Sequence, residues 1–200
     1  MALSLSTAPT VEPVTLAEAK THLRVDHTAQ DDYIEDFLIP AARRYAEVYT
    51  GRAFLNQTWI LRLRGFSEPI VLPWAPLSSV TNIKYLDSAG TEQTWATTNY
   101  DVELPSGELA LHGAIHLGYG DTFPTTYGIV DDVRITYVAG YGAAATSVPV
   151  GIKHGVLMLI EDLYRQPSSA LVGAVQSPAA LTARHLLDPF RARRFDLRFD

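Results

Sequence analysis

Few side chains in this 200-residue sequence have the type and spacing that a chemical site needs. His112 and His116 stand four residues apart, a spacing that on a helix places two imidazoles on one face and can begin a metal site. Gly113, Gly118 and Gly120 surround them, and glycines at this density argue against a helix. We therefore interpret both histidines as surface or core residues, and we expect no bound metal.

The carboxylates and glycine-rich segments form no recognisable catalytic pattern. The paired aspartates at 31–32 fit the start of a helix, and those at 131–132 fit a loop before a strand. Neither pair indicates a calcium loop, because such a loop needs several spaced oxygen ligands. The G-Y-G at 140–142 lacks the remaining residues of a dinucleotide or phosphate-binding motif, and no G-x-S-x-G motif occurs. Because the chain has no cysteine, thiolate nucleophiles and disulfides are excluded. We expect no enzymatic activity, no catalytic residue and no cofactor.

Composition indicates a folded protein rather than a nucleic-acid-binding tail or a membrane protein. Hydrophobic residues make up 47% of the chain and charged residues 19%, which is typical of a domain with its own core. The formal net charge of −6 disfavours phosphate binding, which is supplied mainly by Lys and Arg. No segment approaches the about 20 apolar residues of a membrane span, and the first residues lack a secretory signal. We expect a soluble chain that starts in the cytoplasm and has no membrane partner.

Hydrophobic spacing predicts helices on both sides of a long β-rich region. Thr15 and Glu18 form a capping-box pattern for a helix over 15–25. Apolar residues at helical spacing predict a second helix over 31–50, in which Pro40 should produce a kink because it removes one hydrogen bond. A third helix is predicted over 148–166, where Gly155 would permit close packing.

Between about residues 56 and 138 the hydrophobic period changes from 3.6 to 2. Short apolar runs separated by Gly, Pro and Asp turns predict antiparallel strands joined by hairpins. The predicted fold class is α+β: a small helical body with an inserted antiparallel β-region and an extended C-terminal arm. We predict a body over 1–166 that includes an N-terminal arm over 1–13, a linker over 167–178, and a docking arm over 179–200.

The last residues have the composition of a docking element. Residues 184–200 hold five arginines against three aspartates, although the whole chain is acidic. Phe195, Leu197 and Phe199 alternate with charged residues, which is a strand pattern. Such a tail can be a solvated end, a strand on its own sheet or a strand added to a partner's sheet. We favour the partner, because a Ser/Ala/Gly/Pro-rich linker gives the tail reach, and many weak tails act best together in a ring.

A series of motifs in this order resembles the tailed-phage head–tail connector proteins, the adaptors of long-tailed phages and related gene transfer agents. The resemblance runs from about residue 13 to residue 191. Its motifs are VTLAEAKTHLRV at 14–25, DDYI at 31–34, AAR at 41–43, YTGRA at 49–53, LPWAPLSSV at 72–80, VRITYVAGYG at 133–142 with VP, IK and LY at 148–149, 152–153 and 163–164, and LLDPFR at 186–191.

The resemblance implies a structural virion protein without catalysis, located in the neck between head and tail after assembly in the host cytoplasm. It implies a homo-oligomeric ring of about 12 copies beneath the portal protein, with a stopper or tail protein on the other side. DNA would pass through the lumen without specific binding, aided where negative charge faces it. The alternatives are another neck component, such as a stopper or tail terminator, and a hydrolase acting on a sugar or nucleotide.

The resemblance also places portal binding in the C-terminal segment. Its apolar side chains would fill pockets on the portal, its terminal alternation would pair as a strand, and its arginines would meet acids. The predicted portal-binding residues are Leu187, Phe190, Arg191, Arg194, Phe195, Leu197 and Phe199.

Overall fold

A computed structural model describes residues 1–165 and 178–192, with side chains in the second range from residue 182 onward. Within these residues the chain forms two compact units. The first unit consists of Met1–Pro9 and Asn56–Tyr141; the second consists of Thr10–Leu55 and the described residues from Gly142 onward. The second unit is helical and the first holds the strands, so the predicted α+β class with an inserted β-region is confirmed.

The first unit is built from antiparallel strands. They are β1 (Ala2–Thr7), β2 (Gln57–Leu63), β3 (Ile70–Val71), β4 (Leu77–Leu86), β5 (Glu92–Thr94), β6 (Tyr100–Glu103), β7 (Ala114–Leu117) and β8 (Val133–Ala139). In the described part of the chain they form a five-stranded sheet of order β1-β2-β8-β4-β5 and a three-stranded sheet of order β3-β7-β6. Strand β8 lies at the centre of the larger sheet, because Ile135 pairs with Leu61 on one side and with Ile83 on the other.

Strand β8 shows why this sheet has one buried face. Val133, Ile135, Tyr137 and Ala139 are buried, while the residues between them are half-exposed. This period of 2 is the pattern of an antiparallel sheet with one face on a core. The Tyr137 hydroxyl donates to the Pro73 carbonyl at 2.6 Å, so this buried phenol is paired.

Two strands were not predicted from the sequence. Residues 2–7, expected within an arm, form edge strand β1, where Leu3 pairs with Leu61 and Leu5 with Trp59. Strand β7 contains His116, whose Nε2 lies 3.3 Å from Glu103 Oε2 on β6. The H-x-x-x-H spacing is therefore not on a helix. The His116 side chain is half-exposed, in agreement with its interpretation as a surface residue.

The second unit contains the helices. They are α1 (Leu16–Leu23), α2 (Asp31–Tyr33), a π-helical turn (Ile34–Leu38), α3 (Ile39–Thr50), α4 (Val150–Arg165) and α5 (Pro178–Leu187), followed by a 3₁₀ turn (Asp188–Phe190). None of the described helices is long and apolar enough to cross a membrane.

Directly before Pro40, where a kink was predicted, the structure has the π-helical turn. This turn ends at Leu38, and Pro40 then stands in the first turn of α3, where a missing N–H is tolerated. Residues 31–50 thus remain one continuous helical stretch. Ile34, Leu38 and Ala42 are fully or almost fully buried and form its core face.

The capping box of α1 also connects this helix to α4. Glu18 N–H donates to Thr15 Oγ1 at 3.2 Å, and Thr15 N–H donates to Glu18 Oε2 at 2.7 Å. Lys153 Nζ of α4 donates to Glu18 Oε1 at 2.8 Å. These hydrogen bonds lower the pKa of Glu18 because they favour its ionised form, and the bond from Lys153 has the largest effect.

Glu18→Gln should therefore destabilise the chain in a pH-dependent way. The lowered pKa means that the stabilisation is present above the ordinary value of 4.5 and is lost as the pH falls through the folded-state pKa. At neutral pH we expect a loss of about 0.5–1 kcal/mol in the free energy of unfolding, measured by urea denaturation. Glu35→Gln, at an exposed helical site, is the matched control. Identical pH profiles for the two variants would contradict this role of Glu18.

Candidate docking segment

Two of the predicted portal contacts lie inside the second unit. Leu187 is 0% exposed and Phe190 is 9% exposed. A Cβ atom added to Gly155 of α4 would sit 2.9 Å from Leu187 Cγ, and one added to Gly151 would sit 2.9 Å from Phe190 Cε2. Real Cβ atoms essentially never approach within 3.0 Å, so a larger residue at either position would force Leu187 or Phe190 to shift. The predicted role of Gly155 in close packing is confirmed.

After α5 the chain runs over the carboxyl end of α3. Ala192 N–H donates to the Thr50 carbonyl at 2.8 Å. Gly51 ends α3 with a φ of +69°, and a Cβ there would lie 3.1 Å from the Ala192 carbonyl oxygen. The buried Arg52 guanidinium donates through Nε to the Phe190 carbonyl. These contacts fix the position of Ala192, beyond which residues 193–200 follow.

An outer layer of polar and aromatic contacts covers the same junction. The Tyr49 hydroxyl donates to Asp188 Oδ1 at 2.6 Å, and the Arg191 guanidinium lies 5.1 Å from the centre of the Tyr49 ring. Tyr45 stacks on Tyr49 with ring centres 6.3 Å apart, and Arg184 Nη2 donates to the Tyr45 hydroxyl at 3.2 Å. The hydrogen bond to Asp188 raises the pKa of Tyr49, because only the protonated phenol can donate it.

A buried ionic network holds the helix end on which the segment sits. Glu47, 1% exposed, accepts from Phe54 N–H at 3.1 Å and from Arg43 Nη1 at 3.0 Å. Arg43 Nε donates to Glu12 Oε2 at 2.7 Å. Burial alone would lower the pKa of Arg43, but the bond to Glu12 and the charge of Glu47 outweigh it and raise the pKa. Buried charges are stable only when paired in this way, so residues 47–54 form a well-defined base.

Two family-like motifs therefore meet in space. The motif at 49–53 and the motif at 186–191 are joined by the Arg52–Phe190 bond, which spans 138 positions in sequence. We name residues 187–192 with their contacts on α3 and α4 the anchor of the docking arm. Neither motif by itself indicates in the sequence that the two contact each other. The available signal was the pair of glycines in α4, spaced one helical turn apart.

The structure describes three of the seven predicted portal-binding residues. Leu187 and Phe190 differ from the expectation of exposed pocket-filling groups, because α4 already covers their apolar surfaces. The Arg191 side chain is 57% exposed. Arg194, Phe195, Leu197 and Phe199 lie outside the described residues, as does the predicted linker up to residue 177. Portal binding by this set stays a prediction.

Among the described residues, the side chains form no cluster that could hold a metal ion. Over residues 1–165 and 178–192, no group of three or more His, Asp or Glu side chains is placed to hold a metal ion. His112 stands in a loop and His116 on β7, so the two imidazoles do not share a helical face.

Size complementarity between α4 and α5 can be tested with a double-mutant cycle. Leu187→Ala should destabilise the protein by about 2–5 kcal/mol, because it leaves a cavity. Gly155→Ala should cost about 1–3 kcal/mol from overcrowding, partly offset by the better helix propensity of alanine. The double variant should lose less stability than the two single variants lose together, because the smaller side chain at 187 makes room for the new methyl group. Additive losses in thermal or urea unfolding would contradict direct packing.

The Tyr49–Asp188 bond should hold the anchor closed. In Tyr49→Phe we expect the Ala192 amide to exchange with solvent about two- to tenfold faster, since an exposed hydrogen bond contributes toward the low end of about 0.5–1.5 kcal/mol. Because the pKa of Tyr49 is raised, this stabilisation is present below the ordinary value of 10.0 and is lost as the pH rises through the folded-state pKa. Tyr119→Phe, at a fully exposed tyrosine, is the control and should leave this exchange unchanged.

Comparisons with known proteins agree with this architecture. The family model described as Phage gp6-like head-tail connector protein matches residues 13–107. No curated protein matches the chain. Among solved structures, a chain from the neck of an empty gene transfer agent (GTA) particle computed with C6 symmetry has a TM-score of 0.77 at 25% identity. A chain from a native GTA virion has a TM-score of 0.76 at 26% sequence identity, and a chain from a native GTA neck computed with C12 symmetry has a TM-score of 0.72 at 25% identity. Each of the three comparisons covers 97% of both chains. The resemblance predicted from the sequence is therefore confirmed: this chain matches the head–tail connector family in sequence and shares its fold with chains of gene transfer agent particles.

Proposed function

We propose that this chain is a head-to-tail adaptor, a structural protein of the virion neck that assembles as a ring beneath the portal. The observation that carries the proposal is the likeness over 97% of both chains to proteins in gene transfer agent necks, together with the connector-family match. Those necks were computed with C6 and C12 symmetry, which fits a ring of about 12 copies. The portal lies on one side of this ring and a stopper or tail protein on the other.

The anchor gives the docking arm a defined starting point. Ala192 is held by Thr50 and Phe190 by Arg52, so the residue that precedes the last eight of the chain is fixed in place. Fully extended, they can reach at most roughly 26–29 Å. Fixing the base of an arm reduces the conformational freedom that is lost on binding, and this favours docking.

The predicted portal-binding residues then divide into two groups with different roles. Leu187 and Phe190 hold the arm onto its own unit. Phe195, Leu197 and Phe199 supply the apolar side of a strand that adds to the portal, with Arg194 and the exposed Arg191 beside acidic groups. Each arm binds weakly by itself, and the ring provides the avidity of many simultaneous contacts.

A passive role for DNA in the lumen is consistent with the charge. The chain carries −6, while residues 184–200 are net basic, so the excess of acids lies in the rest of the chain. Acidic groups facing the lumen repel the phosphate backbone and let the genome slide without specific binding. The proposed activity is assembly and DNA passage rather than catalysis.

The decisive test is copurification with the portal of the same particle. Three proteins are compared with the full chain: one ending at Ala192, one carrying Phe195→Ser, Leu197→Ser and Phe199→Ser, and one carrying Leu109→Ser, Leu111→Ser and Val130→Ser. The last is the matched control, because it removes three exposed apolar side chains elsewhere. We expect the full chain and the control to bind the portal as a ring and both tail variants to lose at least about tenfold in affinity. Since each variant keeps the anchor, thermal stability should be unchanged.

The other outcomes separate the parts of the proposal. If the tail variants bind as well as the full chain, the role of the arm is refuted and the adaptor function stands. If the full chain fails to bind the portal but binds a downstream neck protein, the chain is a stopper or terminator and the adaptor proposal is overturned.

A further inference from the structure

The helical stretch 31–50 carries apolar side chains on its outer side as well as on its core face. On the core face Ile34 is 0% and Leu38 5% exposed, whereas on the outer side Phe37 is 65% and Val48 59% exposed. A helix that is apolar on opposite sides is normally enclosed by protein on both. We name the exposed residues of the outer side the aromatic stripe: Tyr33, Phe37, Ala41, Tyr45 and Val48.

The stripe ends beside the anchor of the docking arm, within the same unit. Tyr45 stacks on Tyr49 with ring centres 6.3 Å apart, and the Arg191 guanidinium lies 5.1 Å from the centre of the Tyr49 ring. Ala192 N–H donates to the Thr50 carbonyl at 2.8 Å. The arm therefore begins at the carboxyl end of the helix that carries the stripe, next to the stripe's last aromatic residue.

The eight residues after the anchor are long enough to cover the stripe. Fully extended they reach at most roughly 26–29 Å, and the stripe runs about 22 Å along its helix between residues 33 and 48. Phe195, Leu197 and Phe199 recur at every second position, which in an extended segment is a spacing of about 6.6 Å. Stripe residues four positions apart are separated by about 6 Å along the helix axis. The two apolar series thus match in length and in spacing.

The charged residues also match when the arm runs back along the helix from its anchored end. In an extended arm Asp196 lies about 13 Å and Arg198 about 20 Å beyond the anchor. On the helix, Arg44 lies about 9 Å and Asp36 about 21 Å from the carboxyl end of α3. Both of these helical side chains are exposed. An acid of the arm would therefore lie near a base of the helix, and a base of the arm near an acid, which is favourable in both places.

We propose that in the free chain residues 193–200 lie along the aromatic stripe of their own unit, with Phe195 near Val48 and Phe199 near Phe37. The occupant is this segment, rather than a second copy or the portal, because it starts at the end of the stripe and matches its length, its apolar spacing and its order of charges. The portal then takes the arm from the stripe. The inference adds a closed state to the proposed docking arm, and it concerns the free chain, so it does not depend on portal binding.

The closed state covers two apolar surfaces at once. The apolar residues of the arm and those of the stripe are shielded from water together, which protects the chain from nonspecific association before it meets the portal. The contact has to be weaker than the fold, since the portal must displace it. Such a contact opens locally well below the temperature at which the unit unfolds, so it leaves the thermal unfolding temperature unchanged.

Because the chain has no cysteine, a pair of introduced thiols reports on the closed state. The double variant Ala41→Cys with Leu197→Cys is equilibrated, as the isolated full chain, in buffers of reduced and oxidised glutathione, and its intramolecular disulfide is quantified. This equilibrium gives the effective concentration of one thiol at the other. The matched control carries the same thiol pair together with Phe195→Ser and Phe199→Ser, so its arm has the same length and reach without the two aromatic side chains.

A closed arm predicts an effective thiol concentration at least about tenfold higher in the first variant than in the control. The disulfide should form within monomers, and its yield should not depend on protein concentration. Equal effective concentrations in the two variants, or disulfides mainly between copies, would overturn the inference. These outcomes are obtained without the portal, so they leave the adaptor function to its own copurification test.

The order of charges supplies a second readout on the same thiol pair. Arg198→Asp should lower the effective concentration roughly two- to fivefold, because it places an acid beside Asp36 where an exposed ion pair stood. Adding Asp36→Arg should restore the parent value, since the pair is then reversed. Glu35→Arg is the matched control and should restore less, because adjacent helical side chains point to different sides. A loss that Asp36→Arg does not recover would contradict the proposed path of the arm.

Discussion

The second unit depends on the close contact of α4 with the chain that follows α5. Gly151 and Gly155 lack side chains at the points where Phe190 and Leu187 reach the helix. Any larger residue would occupy the space of those two side chains, because their atoms lie within 3.0 Å of an added Cβ. The path of residues 188–192 over the end of α3 follows from this contact.

Around that contact, several ordinary interactions act on one short segment. Arg52 and Thr50 bind its backbone, while Tyr49 binds its Asp188 side chain. The buried Glu47 carboxylate accepts hydrogen bonds from the Phe54 amide and from the Arg43 guanidinium. The anchor thus combines buried, directional bonds with an outer layer that water can reach. The layered contacts hold the backbone of residues 188–192 against the end of α3.

The helical stretch 31–50 keeps part of its apolar surface exposed. Its sequence has more apolar residues than one core face can bury, and the π-helical turn before Pro40 keeps the stretch continuous. The residues left outside are aromatic and partly stacked on one another. A stretch of this kind is held by its buried face while part of its apolar surface stays exposed.

Much of the fold could be predicted from local patterns. The capping box at Thr15 and Glu18, the helical spacing over 31–50 and the period-2 runs between about 56 and 138 correspond to elements in the structure. These patterns act through neighbours three or four positions apart in a helix, or alternate positions in a strand. Strands β1 and β7 were missed because their pairing with β2 and β6 comes from other parts of the chain, which a local pattern does not show.

The sequence by itself determined the element types, the absence of thiol chemistry, the basic alternating tail and the motifs of the connector family. Only the tertiary structure decided which apolar residues are covered. Leu187 and Phe190 were predicted to bind the portal, yet they pack against glycines of α4, and the helical spacing over 31–50 did not show that Phe37 and Val48 are exposed. Helical spacing shows that residues share a face, but whether that face is buried depends on what packs against it, and those partners lie far away in sequence.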